Sequence, residues 1–367
     1  MSYIHQSSAW PALSWDEGAI APLLADVRHR QGRLFGRMEG LGLAARSEAM
    51  LKILTEDVLK TSEIEGEILD RDQVRSSLAR RLGLEIGALV AADRHVDGVV
   101  EMMLDATQNS AKSLTEDRLF GWHAALFPTG WSGMHRVAVG RWRDDGSGPM
   151  QVVSGTVGRE RVHYEAPAAR RVPVEMAAFL TWFNGPSDID PVLKSGLAHL
   201  WFVTIHPFED GNGRIARAIA DMQLARSEGS TKRFYSMSAQ IRTERRAYYE
   251  ILEATQRGQG DVTAWLTWFL SCLGRAIDGA DHLFTAVLRK ARFWQQHAAA
   301  PLNLRQRDML NRLLDGFEGH LTTSKWAKIQ RCSSDTGLRD VSDLVERGLL
   351  AKAASGGRST HYVLAEF

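Results

Sequence analysis

Apolar residues recur at spacings of three and four along most of this chain, which is the period of a helix with one buried face. Leu23, Leu24 and Val27 begin one such series, and Met50, Leu51, Leu54, Val58 and Leu59 carry another. Nothing between them alternates like a strand. Residues 1 to about 110 therefore read as helical, and Gly66 suits the stop of the second series because glycine takes the left-handed conformation cheaply. Leu119, Trp122, His123, Leu126 and Phe127 form a third series, ended by Pro128 and Gly130. Val192, Leu193, Leu197, Leu200 and Trp201 predict a buried helix, Ile215, Ala218, Ile219 and Met222 the next, and Trp265, Trp268, Phe269 and Leu273 a further core face. Between Trp142 and Tyr164 the period changes. Met150, Val152 and Val153 precede Gly155, while Val157, Val162 and Tyr164 follow it, which predicts a short β-hairpin. Beyond the helix end at Ala298-Ala299-Ala300-Pro301, two helical stretches (Thr323 to Ile329 and Asp335 to Glu346) precede Leu349-Leu350 and Tyr362-Val363-Leu364, which flank Gly356-Gly357-Arg358-Ser359-Thr360. Helix, turn, helix and glycine-tipped hairpin is a winged-helix pattern. The fold class is mainly α.

Chemistry concentrates in the stretch His206-Pro207-Phe208-Glu209-Asp210-Gly211-Asn212-Gly213-Arg214-Ile215-Ala216-Arg217. His206 can accept a proton near neutral pH, and Asp210 is a hard oxygen ligand suited to magnesium. Gly211-Asn212-Gly213 can bring bare backbone N–H groups to an anion at the start of the helix predicted from Ile215 onward, where the dipole also favours phosphate. Arg214 and Arg217 lie three apart and share a face of that helix, so two guanidinium forks flank the nest. A ligand with more than one phosphate is implied. The stretch is too polar to fill a core and too elaborate for a simple turn.

This segment resembles the signature of the Fic (filamentation induced by cAMP) family, His-Pro-Phe-x-Asp/Glu-Gly-Asn-Gly-Arg-x-x-Arg, matched at every specified position. The resemblance implies an enzyme that moves AMP from ATP onto a Ser, Thr or Tyr hydroxyl of a target protein and releases pyrophosphate. His206 would be the base, Asp210 the Mg²⁺ ligand, Gly211, Asn212, Gly213 and Arg214 the seat of the α- and β-phosphates, and Arg217 that of the γ-phosphate. Thr61, Glu65 and Gly66 fit the family's inhibitory motif, Ser/Thr-x-x-x-Glu-Gly/Asn, so Glu65 would pair with Arg217 and hold the site off. The hairpin matches the family's flap, which holds a target segment near residues 150–164 as an added strand. A tyrosine contacts the nucleotide's adenosine end, either Tyr248 or Tyr249, with Tyr249 slightly favoured. His123 and His199 read as packing residues of the bundle. The implied organisation is an N-terminal helical extension (1–110), which resembles that of a large bacterial subgroup, a Fic core (111–297) and a winged-helix domain (298–367).

Composition changes this picture little. With 45 Lys and Arg against 44 Asp and Glu, the net charge of +1 gives no global pull towards nucleic acid or anionic membrane. Residues 301–367 hold ten basic and eight acidic residues, too even for a dedicated DNA reader, so the winged helix could dock protein or DNA or support a homo-oligomer. Two cysteines, Cys272 and Cys332, lack metal-type spacing, and neither a signal-peptide pattern nor a spanning stretch is evident; a cytoplasmic location is expected. Two alternatives stand beside this reading: the same site removes AMP, with Glu65 positioning water, or transfers another phosphate-containing group; or residues 298–367 read DNA as the winged helix of a transcription regulator whose Fic core only senses nucleotide.

Overall fold

Most helix starts in this chain are set by short polar side chains that satisfy the orphan N–H groups of the first turn. Asp16, Asp70, Asp93, Thr115, Asp190 and Ser236 each accept a hydrogen bond from a backbone N–H two or three residues further on. In chain order a 3-10 turn at Ile4–Gln6 leads to α1 (Glu17–Glu39), α2 (Leu43–Ile64), α3 (Arg71–Leu82), α4 (Arg94–Gln108) and α5 (Glu116–Leu126). Two hairpins follow, β1 (Trp131–Ser132) with β2 (His135–Arg136), then β3 (Gln151–Ser154) with β4 (Arg161–Glu165). Next come α6 (Val172–Asn184), α7 (Pro191–Ile205), α8 (Asn212–Glu228), α9 (Met237–Thr243), α10 (Arg245–Gln256) and α11 (Thr263–Gln296). The chain ends with α12 (Leu304–Leu314), α13 (Thr323–Ile329), α14 (Ser334–Glu346), β5 (Leu350–Lys352) and β6 (Tyr362–Leu364). The computed structural model describes every residue except 1, 41, 87–88, 145, 147, 156–158, 160, 315, 318, 354–359 and 366–367. The expected hairpin residue Val157 and the glycine tip Gly356 to Ser359 therefore lie outside the described residues.

The chain divides into two compact units, Met1–Asp281 and His282–Phe367. The sequence reading placed boundaries at 110/111 and 297/298. The Ala298 to Pro301 punctuation falls just beyond the end of α11 at Gln296. In the first unit the core is centred on α7, buried on all faces from Val192 to Ile205. Its neighbour α8 packs closely along it, and Ser195 Oγ donates to the Ala220 carbonyl at 2.9 Å. Gly196 permits a tight approach, since a Cβ there would meet the Phe269 ring at 3.0 Å. α1 buries Ile20, Val27, Leu34 and Met38, while Leu23 and Leu24 are only half-buried, so its seam starts one turn earlier than the leucines suggest. α2 packs on α9, where Ser236 and Ser238 both bond the Asp57 carboxylate.

The second unit has its own core of Phe293, Met309, Leu310, Trp326, Val341 and Leu344, closed by Leu349, Leu350 and Tyr362. β5 and β6 pair antiparallel with Leu350 opposite Leu364, and Leu321 forms an additional bridge to Tyr362. Among the described residues no helix is long and apolar enough to cross a membrane.

Candidate active site

His206 terminates α7 with φ 51°, a left-handed conformation that costs a non-glycine residue about 1–2 kcal/mol. The loop that follows is held firmly enough to sustain it. Arg143 Nε donates to the His206 carbonyl at 2.7 Å and the Arg143 amide to the Pro207 carbonyl at 2.9 Å. Phe208 is fully buried and stacked on His123 at 4.2 Å between centroids, so it anchors the loop in the core. Asn212 clamps the same turn, its Oδ1 accepting from the Phe208 amide at 3.0 Å and its Nδ2 donating to the Phe208 carbonyl at 2.8 Å. Gly211 has φ 81°, and a Cβ there would come within 3.0 Å of the Phe127 ring. The glycine loop thus starts α8 as expected, with Asn212 serving as a structural clip through its side chain.

The His206 ring has one assigned proton. Its Nδ1 lies 3.1 Å from the Val203 carbonyl, which can only accept, so Nδ1 carries the hydrogen and Nε2 keeps its lone pair. Burial holds its pKa below the ordinary histidine value, and the ring is neutral at pH 7. His199 and His123 are buried; burial lowers their pKa values to about 3 and about 4, and neither is a spare base.

A cavity of about 880 Å³ gathers the predicted residues His206, Asp210, Gly211, Asn212, Gly213, Glu65 and Tyr249, with β3 and β4 forming one wall. The Asp210 carboxylate accepts from the Gly211 amide and from Ser132 Oγ at the tip of the β1–β2 hairpin. Among the described residues no group of three or more His, Cys, Asp or Glu could hold a metal by itself. One hard carboxylate on a cavity wall fits magnesium nonetheless, because that ion is commonly bound by one or two carboxylates together with substrate phosphates. Both tyrosines line the cavity: Tyr249 has its hydroxyl 3.4 Å from Glu65 Oε2, while the more buried Tyr248 has its hydroxyl 2.9 Å from His199 Nε2.

Both signature arginines are buried and already engaged. Arg217 donates from Nε to Thr61 Oγ1 at 2.8 Å, and from Nη2 to the Thr61 carbonyl at 2.8 Å and to Glu65 Oε1 at 2.7 Å. The Glu65 carboxylate lies so close over the glycine loop that a Cβ on Gly213 would be 2.2 Å from Oε1. Arg214 donates from Nη1 to Glu67 Oε2 at 2.6 Å and lies over the Phe127 ring at 5.1 Å. The β3–β4 hairpin is fastened to the bundle. Glu253 on α10 pairs with Arg161 at 2.8 Å, and the Tyr164 hydroxyl donates to the Thr204 carbonyl at 2.6 Å. The sequence assigns no role to His95, Ser132 or Arg143, or to Glu67, which stands directly after the inhibitory motif; none sits in a spacing that states its partner.

The fold is a helical bundle that turns a histidine, an aspartate and a glycine-rich helix start onto one cavity, with Arg214 and Arg217 buried on the same helix. Residues 113–224 match the Fic/DOC family, and residues 3–84 match a domain of unknown function, DUF4172. Residues 113–224 therefore form a Fic domain. The chain is 32% identical over 114 residues to Protein adenylyltransferase Fic of Nematostella vectensis, covering 30% of this chain and 25% of that protein. It is 31% identical over 96 residues to Protein adenylyltransferase fic-1 of Caenorhabditis briggsae, covering 26% of this chain and 18% of that protein. The chain thus spans a quarter or less of the length of these relatives. A crystal structure of a Fic family protein from Desulfovibrio desulfuricans shares the fold over 95% of this chain and 96% of that one, with TM-score 0.52 and 22% identity.

Proposed function

We propose that the protein is an adenylyltransferase that moves AMP from ATP to a Ser, Thr or Tyr hydroxyl of a target protein and is held inactive by Glu65. The observation that carries the reading is the convergence of His206, Asp210 and Gly211–Gly213 on one cavity with Glu65, which also engages the buried Arg217 together with Thr61. In the reaction the target oxygen forms a bond to the α-phosphorus, the bond from that phosphorus to the β-bridging oxygen breaks, and pyrophosphate leaves. His206 Nε2, the ring nitrogen with the free lone pair, takes the hydroxyl proton. Arg214, Arg217 and the Gly211–Gly213 backbone hold the phosphates, and positioning is the main catalytic contribution. Magnesium, held by Asp210 and phosphate oxygens, would neutralise developing charge. The target segment pairs with the flap main chain, which exists here as a two-stranded sheet, and Tyr249 contacts the adenosine end.

Inhibition follows from competition for a fork. While Arg217 is bound to Thr61 and Glu65 it cannot take a γ-phosphate, and a misplacement of about 1 Å can cost on the order of 10²-fold in rate. The test is label incorporation from α-labelled ATP by the parent, Glu65→Gly, Arg217→Ala and the double variant. Glu65→Gly should raise transfer, including self-modification, by at least tenfold, and adding Arg217→Ala should remove the gain. The AMP-removal reading keeps Glu65, which lines the same cavity, as a water-positioning carboxylate. A lower rate in Glu65→Gly on a pre-modified target would favour it.

A further inference from the structure

The turn that ends α2 is a helix stop of one defined kind. The Gly66 amide donates to the Glu63 carbonyl at 3.1 Å and the Glu67 amide to the Ser62 carbonyl at 3.0 Å, with Gly66 at φ 87°. This pairing fixes the residues on both sides of the glycine together. Arg245 Nε holds the turn from α10 through the Ile64 carbonyl at 2.7 Å. Its two outward carboxylates meet α8 one turn apart, Glu65 at Arg217 and Glu67 at Arg214. Among the described residues Glu67 is the one carboxylate within ion-pair distance of Arg214, whose side chain is only 3% exposed. Glu67 is in turn held from α4, with Oε1 3.2 Å from His95 Nε2, and His95 Nδ1 donates to the Leu126 carbonyl at the end of α5 at 3.1 Å.

We infer that Glu67 is a second inhibitory carboxylate, occupying at Arg214 the seat of an inner phosphate of the nucleotide while Glu65 occupies that of the outermost. The inference rests on the nucleotide reading of the site. A guanidinium this buried needs a counter-ion, because an uncompensated buried charge is costly. Either Glu67 or a phosphate supplies it, so the two compete. Glu65 acts chiefly on the fork that serves the third phosphate, although its carboxylate also lies over Gly213. With Glu67 in place the brake also reaches ADP, and the two carboxylates on one rigid turn act as a pair.

Calorimetric titration of the full chain with ATP and with ADP separates the two seats. Glu67→Gln keeps the shape of the side chain and removes its charge; it should tighten ADP and ATP alike, by roughly five- to tenfold. Glu65→Gly should tighten ATP more than ADP. His95→Gln, which leaves Glu67 in place but removes its second partner, should give a smaller gain for both nucleotides. An unchanged ADP affinity in Glu67→Gln and in Glu67→Ala, with Glu65→Gly still gaining ATP, overturns the inference and leaves the nucleotide reading intact. Absence of nucleotide binding by every variant overturns both.

Discussion

At the scale of single residues, the proposed reaction depends on His206 being an unprotonated base in a strained position. The Val203 carbonyl fixes the proton on Nδ1, and burial lowers the pKa, so the active neutral form is present at pH 7 and persists below the ordinary value of 6.5. Activity should fall on acidification only as pH passes through this depressed value, because protonation of Nε2 removes the acceptor. His206→Ala should lower AMP transfer by about 10²–10⁴-fold while leaving ATP affinity within about twofold, since the phosphates are held by other residues. Calorimetry beside label transfer checks it, and an equal loss in both would make His206 an anchor for the ligand. The residues of this step were legible in the chain because they are contiguous: a histidine, a carboxylate and a glycine nest within twelve positions state their chemistry together. Arg143, which bonds the carbonyl of His206, was not legible, because a buried arginine and a surface one look alike in one sequence.

At the scale of elements, the end of α2 and the start of α8 form one device. The helix stop at Gly66 could be read from the chain, as could the pairing of Thr61 with Glu65 on one face, because both are local. That α4 reinforces the device through His95 could not, since a histidine before a run of valines and methionines carries no mark of its partner. The contact has a sign that can be worked out. His95 needs a proton on each nitrogen to serve both Leu126 and Glu67, and the Glu67 carboxylate against its ring raises its pKa above 6.5, outweighing burial. On Glu67, burial works upward but is outweighed by His95 and Arg214, so that carboxylate stays charged. Arg214 on α8 is the opposing charge that faces His95 and works against its protonation. The contact is therefore fully made below pH 6.5 and is lost as pH rises through the raised value. ADP affinity of the parent should increase across that rise relative to His95→Gln, which should lack the step. Titrations of both proteins over the range, compared as a ratio, cancel the ionisation of the nucleotide itself; a constant ratio would remove His95 from the device.

At the scale of the whole molecule, the helices that carry the proposed brake and the bundle that carries the signature are parts of one compact unit, Met1–Asp281. Periodicity identified the helices on both sides of residue 110, but it holds no information on which of them share a core. Arg217 bonds Thr61 across 156 positions, and the only trace of that contact in the chain is a motif known from other proteins. The close packing that joins the two parts is clearest at Gly98 on α4, where a Cβ would lie 1.8 Å from the Ala125 carbonyl oxygen of α5. Backbone cannot yield as a side-chain tip does, so Gly98→Ala must push the two helices apart. Overpacking of this kind costs typically about 1–3 kcal/mol. For a unit of this size the unfolding midpoint should fall by several degrees. The second unit, His282–Phe367, has its own buried cluster around Trp326 and should keep its transition. Because α5 also supplies the Leu126 carbonyl to His95, the same substitution should loosen the hold on Glu67 and tighten ADP in the folded variant. Calorimetric unfolding together with ADP titration below the midpoint measures both effects. A Gly98→Ala protein with parental melting and parental ADP affinity would show that α4 and α5 can separate without cost, and that the brake does not depend on how they pack.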